Sequence, residues 1–387
     1  MYRSKASCLF CGVLLGILFC RNALSQDSPT PLNDGLGLNP APLSVAVPHF
    51  GQIDFHALAT GIGMAQTNPA LGDFNSLFDI SNAQVIVQKG SGLLQFYVQA
   101  GYYSTPSLGT TYQRASQQTK DSFGLAPLAS VSIAPNDSWV FSAGKINSFG
   151  GYENTFTYQN INIDRGLLWN QTSNISKGFQ ASYKSGNLAT AITLNDGFYS
   201  NQLSWMGASA SYQLNQNHNI GLIWAGSIKA SSTNSFITPV AQNNSQIVNA
   251  IYTYASSRWS FTPYLQYTYV PINPSIGILS GAQTSGAAVL ANYRLTGNKG
   301  NGITLPTRFE YISSAGKGNA SSPNLLYGVG SAAWSATITP TYQYERLFIR
   351  GELSYVQAIN SGLGQAFGQS GNAKNQARVM VEAGMLY

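Results

Sequence analysis

The sequence predicts an all-β fold: a transmembrane antiparallel β-barrel of about sixteen strands, with short periplasmic turns and long outer loops. Three observations carry that expectation. Charged residues make up 9% of the chain, against roughly 25% in soluble globular domains. Aromatic residues reach 12%, including 22 Tyr, yet after the first 25 positions no apolar run approaches the ~20 residues a membrane helix needs. From Phe50 to Tyr387, segments alternate between apolar and polar residues. Apolar character spread over every second position suits a strand with lipid on one side and water on the other.

Residues 1–25 read as a secretory signal peptide. Arg3 and Lys5 precede the apolar stretch Ala6–Cys20, and Ala23-Leu24-Ser25 supplies a small-x-small cleavage pattern. Cys8, Cys11 and Cys20 all fall inside it, so the processed chain is expected to hold no disulfide and no Cys-ligated metal. No cofactor is expected. Residues 26–49 are rich in Pro, Asn and Gly without any period and predict a flexible leader. The formal charge of +6 falls to +3 once Arg3, Lys5 and Arg21 are discounted, leaving 17 basic and 14 acidic residues. No basic cluster exists, which excludes nucleic acid as a partner.

The barrel, expected over 50–387, reads as pairs of strands about tight turns. Phe50–Met64 comes first. Ser81–Gln88 and Leu93–Tyr103 flank Lys89-Gly90-Ser91-Gly92, a hairpin turn. Phe123–Ala134 meets Trp139–Ile146, Phe179–Tyr183 meets Leu188–Phe198, and Leu203–Leu214 meets Asn219–Ser227. Further pairs are Gln246–Tyr254 with Trp259–Val270, Ala287–Leu295 with Ile303–Ile312, and Gly330–Tyr344 with Leu347–Ala358. Gln376–Tyr387 closes the series. Long and short connections alternate strictly, as in membrane barrels.

Phase assigns the faces. Trp259, Phe261, Leu265, Tyr267 and Tyr269 share one side of their strand and Ser260, Thr262, Gln266 and Thr268 the other. Arg308 and Glu310 alternate with Phe309 and Tyr311; Arg350 and Glu352 alternate with Ile349 and Leu353. Arg294 is in phase with Asn292, and Arg378 with Glu382. A basic residue on the lipid face at mid-bilayer costs about 2–4 kcal/mol, and several would exceed a typical net stability. Arg294, Arg308, Glu310, Arg350, Glu352, Arg378 and Glu382 are therefore expected to face inward as pore-lining residues. Lys145 is the exception, in phase with Trp139 and Phe141. A sixteen-stranded barrel is wide enough for an aqueous channel; the same charges could instead neutralise a plugged interior.

Two resemblances add to this reading. The alternation Val379, Val381, Ala383, Met385, Tyr387 with its terminal aromatic resembles the closing strand of bacterial outer-membrane barrels. That likeness implies the barrel-assembly machinery and outer-membrane lipid as partners. The longest connection, 147–177, contains Phe149-Gly150-Gly151-Tyr152-Glu153, Asp164-Arg165 and Trp169. There the chain resembles porins, whose third loop folds inward as a constriction. By that resemblance Glu153, Asp164 and Arg165 would belong to the constriction, with Glu153 and Asp164 facing basic wall residues. Gly144-Lys145-Ile146, Gly178-Phe-Gln-Ala-Ser-Tyr183 and Arg350-Gly-Glu352-Leu-Ser-Tyr355 look like the OmpL-like β-barrel porin family of bacterial outer membranes, over about Phe50 to Tyr387.

The resemblance implies a bacterial outer-membrane location and passive passage of small hydrophilic solutes, with a homo-oligomer possible. The alternative is a non-conducting barrel that binds surfaces through its long loops. Catalysis has little support. Only His49, His56 and His218 exist, and no HExxH, phosphate-binding or calcium-binding loop occurs. No catalytic residue and no metal site is expected.

Overall fold

The computed structural model describes residues 35–298, 300–315 and 322–387. The predicted signal peptide and the first part of the leader lie outside the described residues.

Among the described residues, eighteen strands form one antiparallel sheet that closes on itself, and two short α-helices lie in its connections. They are β1 (Leu43–Val47), β2 (Gly51–Gln66), β3 (Ser76–Lys89), β4 (Leu94–Tyr103), α1 (Ala115–Asp121), β5 (Leu128–Ile133), β6 (Trp139–Asn147), β7 (Ile175–Ser185), β8 (Leu188–Asn195) and β9 (Trp205–Asn215). There follow β10 (His218–Ser227), α2 (Val240–Asn243), β11 (Gln246–Ala255), β12 (Trp259–Val270), β13 (Ala282–Arg294), β14 (Asn301–Ala315), β15 (Ala332–Ile338), β16 (Thr341–Tyr344), β17 (Leu347–Ile359) and β18 (Asn375–Leu386). Each strand from β2 to β14 pairs with its successor, and β18 pairs with β2 from Arg378↔Gln66 to Leu386↔Leu58. Closure leaves no edge of the main sheet exposed.

The barrel has sixteen staves. β15 and β16 both lie between β14 and β17 and make one stave, interrupted at Thr339-Pro340, where proline has no N–H to give the ladder. β1 pairs only with the start of β2, from Leu43↔Phe55 to Val47↔Gly51. Within the described leader this strand replaces the flexibility expected there. Leu36 N donates to Tyr158 O at 2.9 Å. Gly37 exchanges two hydrogen bonds with the Gln343 amide. The leader thus enters the lumen from the turn end.

Alternation fixes which side each residue faces. On β12, Trp259, Phe261, Leu265, Tyr267 and Tyr269 are exposed on the outer surface, while Ser260, Thr262, Gln266 and Thr268 are buried. The expected strands are recovered with shifted ends. Ser81–Gln88 extends back to Ser76, and Phe179–Tyr183 extends to Ile175–Ser185. Phe123 leaves its predicted strand because Gly124 takes φ +74° and the Phe123 ring packs edge-on against Tyr199 at 5.3 Å.

The wall is uneven. β5, β6, β7 and β8 have 6, 9, 11 and 8 residues. β12, β13, β14 and β17 have 12, 13, 15 and 13.

Candidate functional site: the loop-filled lumen

The connection between β6 and β7 runs inside the barrel. Its sequence explains why. Between Phe149 and Trp169 stand Tyr152, Phe156, Tyr158, Ile161, Ile163, Leu167 and Leu168, and all nine are buried. Such a load of apolar area favours any arrangement that removes it from water, at about 25 cal/mol per Å². Phe149, Tyr152, Leu167 and Leu168 pack on inward residues of β10 to β14, among them Ile223, Ile251, Tyr264 and Leu290. Phe156 and Tyr158 pack with Leu58, Ile86 and Tyr103, and Phe156 meets Tyr103 edge-to-face at 5.4 Å. Ile163 lies with Ile62, Met64 and Met380.

The polar groups of the loop are met by the wall. Arg308 donates to Glu153 Oε1 at 2.6 Å and to Asp164 O at 2.7 Å, and its Nε lies 3.2 Å from Glu310 Oε2. Glu310 accepts from Leu167 N at 3.0 Å, Leu168 N at 3.3 Å and Ser335 Oγ at 2.8 Å. Glu352 accepts from Ile163 N at 2.5 Å, Asp164 N at 3.1 Å and Thr339 Oγ1 at 2.8 Å. Arg350 donates from Nε and Nη2 to Glu382 at 2.8 and 2.5 Å, and to the carbonyls of Asn160 and Thr157 at 2.9 Å each. Glu382 also accepts from Thr157 Oγ1 at 2.6 Å. Arg378 holds Asp164 through both carboxylate oxygens, at 3.0 and 3.1 Å.

These wall charges are dry. Arg308, Glu310, Arg350, Glu352, Arg378 and Glu382 are each at most 2% exposed. A buried ion survives only when it is paired and hydrogen-bonded, and a guanidinium gripping a carboxylate is the strongest such pair. The geometry therefore fastens the loop to the wall rather than presenting charge to water. Glu153 meets Arg308 and Asp164 meets Arg378. Arg165 instead donates to Ile163 O and Thr155 O and lies over the Trp169 ring at 5.2 Å. Arg294 stands apart, half-buried at the turn end of β13, donating to Ser257 O at 2.6 Å.

Single-strand phase does not reveal the uncharged anchors. Asn249 Nδ2 donates to Gly150 O at 3.0 Å, Gln266 Nε2 to Leu168 O at 2.8 Å, Asn162 Nδ2 to Thr339 Oγ1 at 2.7 Å and Asn82 Nδ2 to Thr157 Oγ1 at 2.7 Å. These bonds and the ion pairs reach β3, β11, β12, β14, β17 and β18. The side of β4 to β10 differs. Among its inward residues Tyr97, Ser142, Gln180, Ser182, Gln213 and Asn219 keep partial exposure, and of the loop the Tyr158 hydroxyl reaches Tyr97 and Gln99. Gln180 donates to Ser182, Asn219 to Gln213, and Tyr97 to Gln99. Above the loop lies an outer vestibule of about 350 Å³, lined by hydroxyls and amides such as Thr110, Gln118, Thr155, Asn170 and Gln242, with Phe123, Trp169 and Phe198 among them. Among the described residues no charged side chain lines it. Of the histidines, His56 faces Gln88 and His218 faces Tyr252, while His49 sits in the β1–β2 turn at φ +63°.

The fold is that of known porins. OmpF of Salmonella typhi, solved in complex with daunomycin, is 14% identical with a TM-score of 0.56, covering 88% of this chain and 99% of its own. An anion-selective porin from Comamonas acidovorans is 11% identical with a TM-score of 0.55, covering 86% and 98%. The outer membrane channel DcaP of Acinetobacter baumannii is 11% identical with a TM-score of 0.52, covering 86% and 96%. No curated protein matches the chain in sequence. The family model described as "Putative beta-barrel porin-2, OmpL-like" matches residues 52–387, almost the whole barrel, and its match together with the closed sixteen-stave fold places the chain in the bacterial outer membrane: this protein belongs to the OmpL-like β-barrel porin family.

Proposed function

We propose that the chain passes small hydrophilic solutes by passive diffusion, and that it prefers uncharged ones. The observation that carries this reading is the division of the lumen. Every predicted wall charge from β14 to β18 is consumed by the loop, whereas the inner wall from β4 to β10 offers hydroxyls and amides, of which Ser142, Gln180, Ser182, Gln213 and Asn219 keep partial exposure. Pore selectivity follows from diameter, lining donors and acceptors, and local field. Here the lining exchanges hydrogen bonds with a polyol without imposing a strong field on an ion. The vestibule adds aromatic rings beside its hydroxyls and amides, a surface suited to the mixed CH and OH faces of a sugar. The narrowing loop 147–177 sets the size limit in this reading, with Glu153, Asp164 and Arg165 as its fasteners.

Purified protein in planar bilayers tests the proposal. Stepwise conductance with a small reversal potential in a salt gradient is expected. In liposome swelling, neutral sugars should enter faster than charged solutes of equal size. A folded barrel that leaves the membrane closed would overturn the channel reading. Strong cation or anion preference would overturn the uncharged-solute reading alone.

A further inference from the structure

Lys145, whose phase points outward, has a partner. Lys145 on β6 and Lys177 on β7 are directly opposed in register, with no register shift along the pair. They share the outer face with Phe141 and Phe179, both strongly exposed to lipid. Like charges directly opposite each other on one face are destabilising unless something offsets them. The surrounding loops do so in part. Lys145 Nζ donates to Phe123 O at 3.1 Å and Ala126 O at 2.9 Å, and Lys177 Nζ donates to Asn201 Oδ1. Both amines lie over the ring of Tyr199, at 5.7 and 3.8 Å from its centre.

They border a groove of about 520 Å³ on the outer surface, also lined by Ala129, Phe179, Asp196 and Leu203. Asp196 is the one carboxylate there. It accepts from Lys177 N at 2.7 Å and Asn201 N at 3.0 Å and feels the Lys177 charge, though burial holds its carboxyl above the usual range. With two amines against one carboxylate, the groove keeps a net positive character toward the lipid.

Its height in the wall matters as much as its charge. On β6 the outward apolar positions below Lys145 are Trp139, Phe141 and Ala143, a run of about 14 Å along the strand, whereas Trp259 to Tyr269 on β12 spans about 34 Å. Tilted by about 45°, the β12 run matches the ~25 Å apolar band of such barrels, and the β6 run covers less than half of it. A run this short is met by thinning of the bilayer against this side or by snorkelling of the flanking amines, and either brings outer headgroups and the two amines together.

We propose that the Lys145–Lys177 groove binds the phosphate of a lipid in the outer leaflet, whose acyl chains run down over Phe179, Phe141 and Val131. The site stands whether or not the barrel conducts.

Titration of the detergent-solubilised full chain with diphosphoryl lipid A, read by native mass spectrometry, tests this. Wild type should retain the lipid. Near a membrane surface each basic residue is worth about 1 kcal/mol, or about fivefold, so Lys145→Gln with Lys177→Gln should bind roughly 25-fold more weakly. Lys145→Arg with Lys177→Arg should bind like wild type. On the wild-type protein, which needs no variant, a dephosphorylated lipid of the same chains should bind weakly, and inorganic phosphate in excess should displace little. Equal binding of the dephosphorylated lipid would overturn the proposal. So would unchanged lipid binding by a folded double-Gln barrel. Full displacement by inorganic phosphate would assign the groove to free phosphate instead, and a change of oligomeric state without loss of lipid would assign it to a second copy.

Discussion

The tall wall from β12 to β18 and the low wall from β5 to β8 solve opposite problems. The tall wall carries its charges inside, where Arg308, Glu310, Arg350, Glu352, Arg378 and Glu382 are locked to the long loop and to each other. Its outer face is predominantly apolar and aromatic. The low wall reverses this. Its inner face carries the partly exposed Ser142, Gln180 and Ser182, with Lys184 in the same phase at the turn end of β7, while its outer face carries Lys145 and Lys177. The comparison teaches that charge inside a barrel is not by itself a field acting on solutes. Here it is fastening, and in the proposed reading passage belongs to the side those ion pairs do not reach.

Breaking the fastening should have the largest effect. Arg350→Met leaves Glu382 buried with only Thr157 Oγ1 beside it and frees the carbonyls of Thr157 and Asn160. Removing one partner of a buried ion pair costs about 3–5 kcal/mol. Denaturant unfolding in detergent should register that loss. Conductance should rise as the loop loosens, while ion preference changes little. A large shift in reversal potential at unchanged stability would mean that Arg350 faces the solute path after all.

A milder break needs no change of charge. A Cβ added at Gly166 would lie 2.0 Å from Glu310 Oε1. That carboxylate cannot easily yield, because Leu167 N, Leu168 N, Ser335 Oγ and Arg308 all hold it. Gly166→Ala should cost about 1–3 kcal/mol, the usual range for overpacking. It should also widen the passage, so that larger sugars enter in liposome swelling. Wild-type size exclusion in this variant would place the narrowest point away from the loop.

Much of this contrast is legible in the sequence, and the rest is hidden for a physical reason. Alternation with period two tells which side of a strand a residue occupies, and the β12 aromatics and the Arg308/Glu310 and Arg350/Glu352 pairs follow it. It says nothing about what fills the space opposite. The neutralising contacts join residues up to 225 positions apart, as in Thr157 to Glu382. The one local signal for an inward loop was its own composition, with nine large apolar residues between Phe149 and Trp169 that water would not tolerate on an exposed loop. Strand ends escape the pattern for a related reason. Where the loop packs behind the wall, as at Ser76 to Ile80, the ladder continues past the stretch in which polar residues face water. Lys145 shows the same limit. Its outward phase is readable, but Tyr199 and the carbonyls of Phe123 and Ala126 reach it from two other loops.

The sharpest test of the comparison is also its smallest perturbation. Gln180→Asp and Ser182→Asp place a carboxylate on the low wall, where both side chains are half-exposed and bond mainly to each other. Substitutions at such positions usually stay within about 0.5 kcal/mol, so unfolding should scarcely move. A carboxylate left in water inside a narrow passage is screened only beyond a Debye length of about 8 Å at physiological salt, so it should act on any ion passing within that distance. The reversal potential in a salt gradient should therefore shift toward cation preference, most clearly at low ionic strength. The two walls would then separate cleanly: charge changes on the tall side read out as stability, and on the low side as selectivity. If Gln180→Asp leaves the reversal potential unchanged while conductance persists, ions travel by another path, and the division of labour between the walls is wrong.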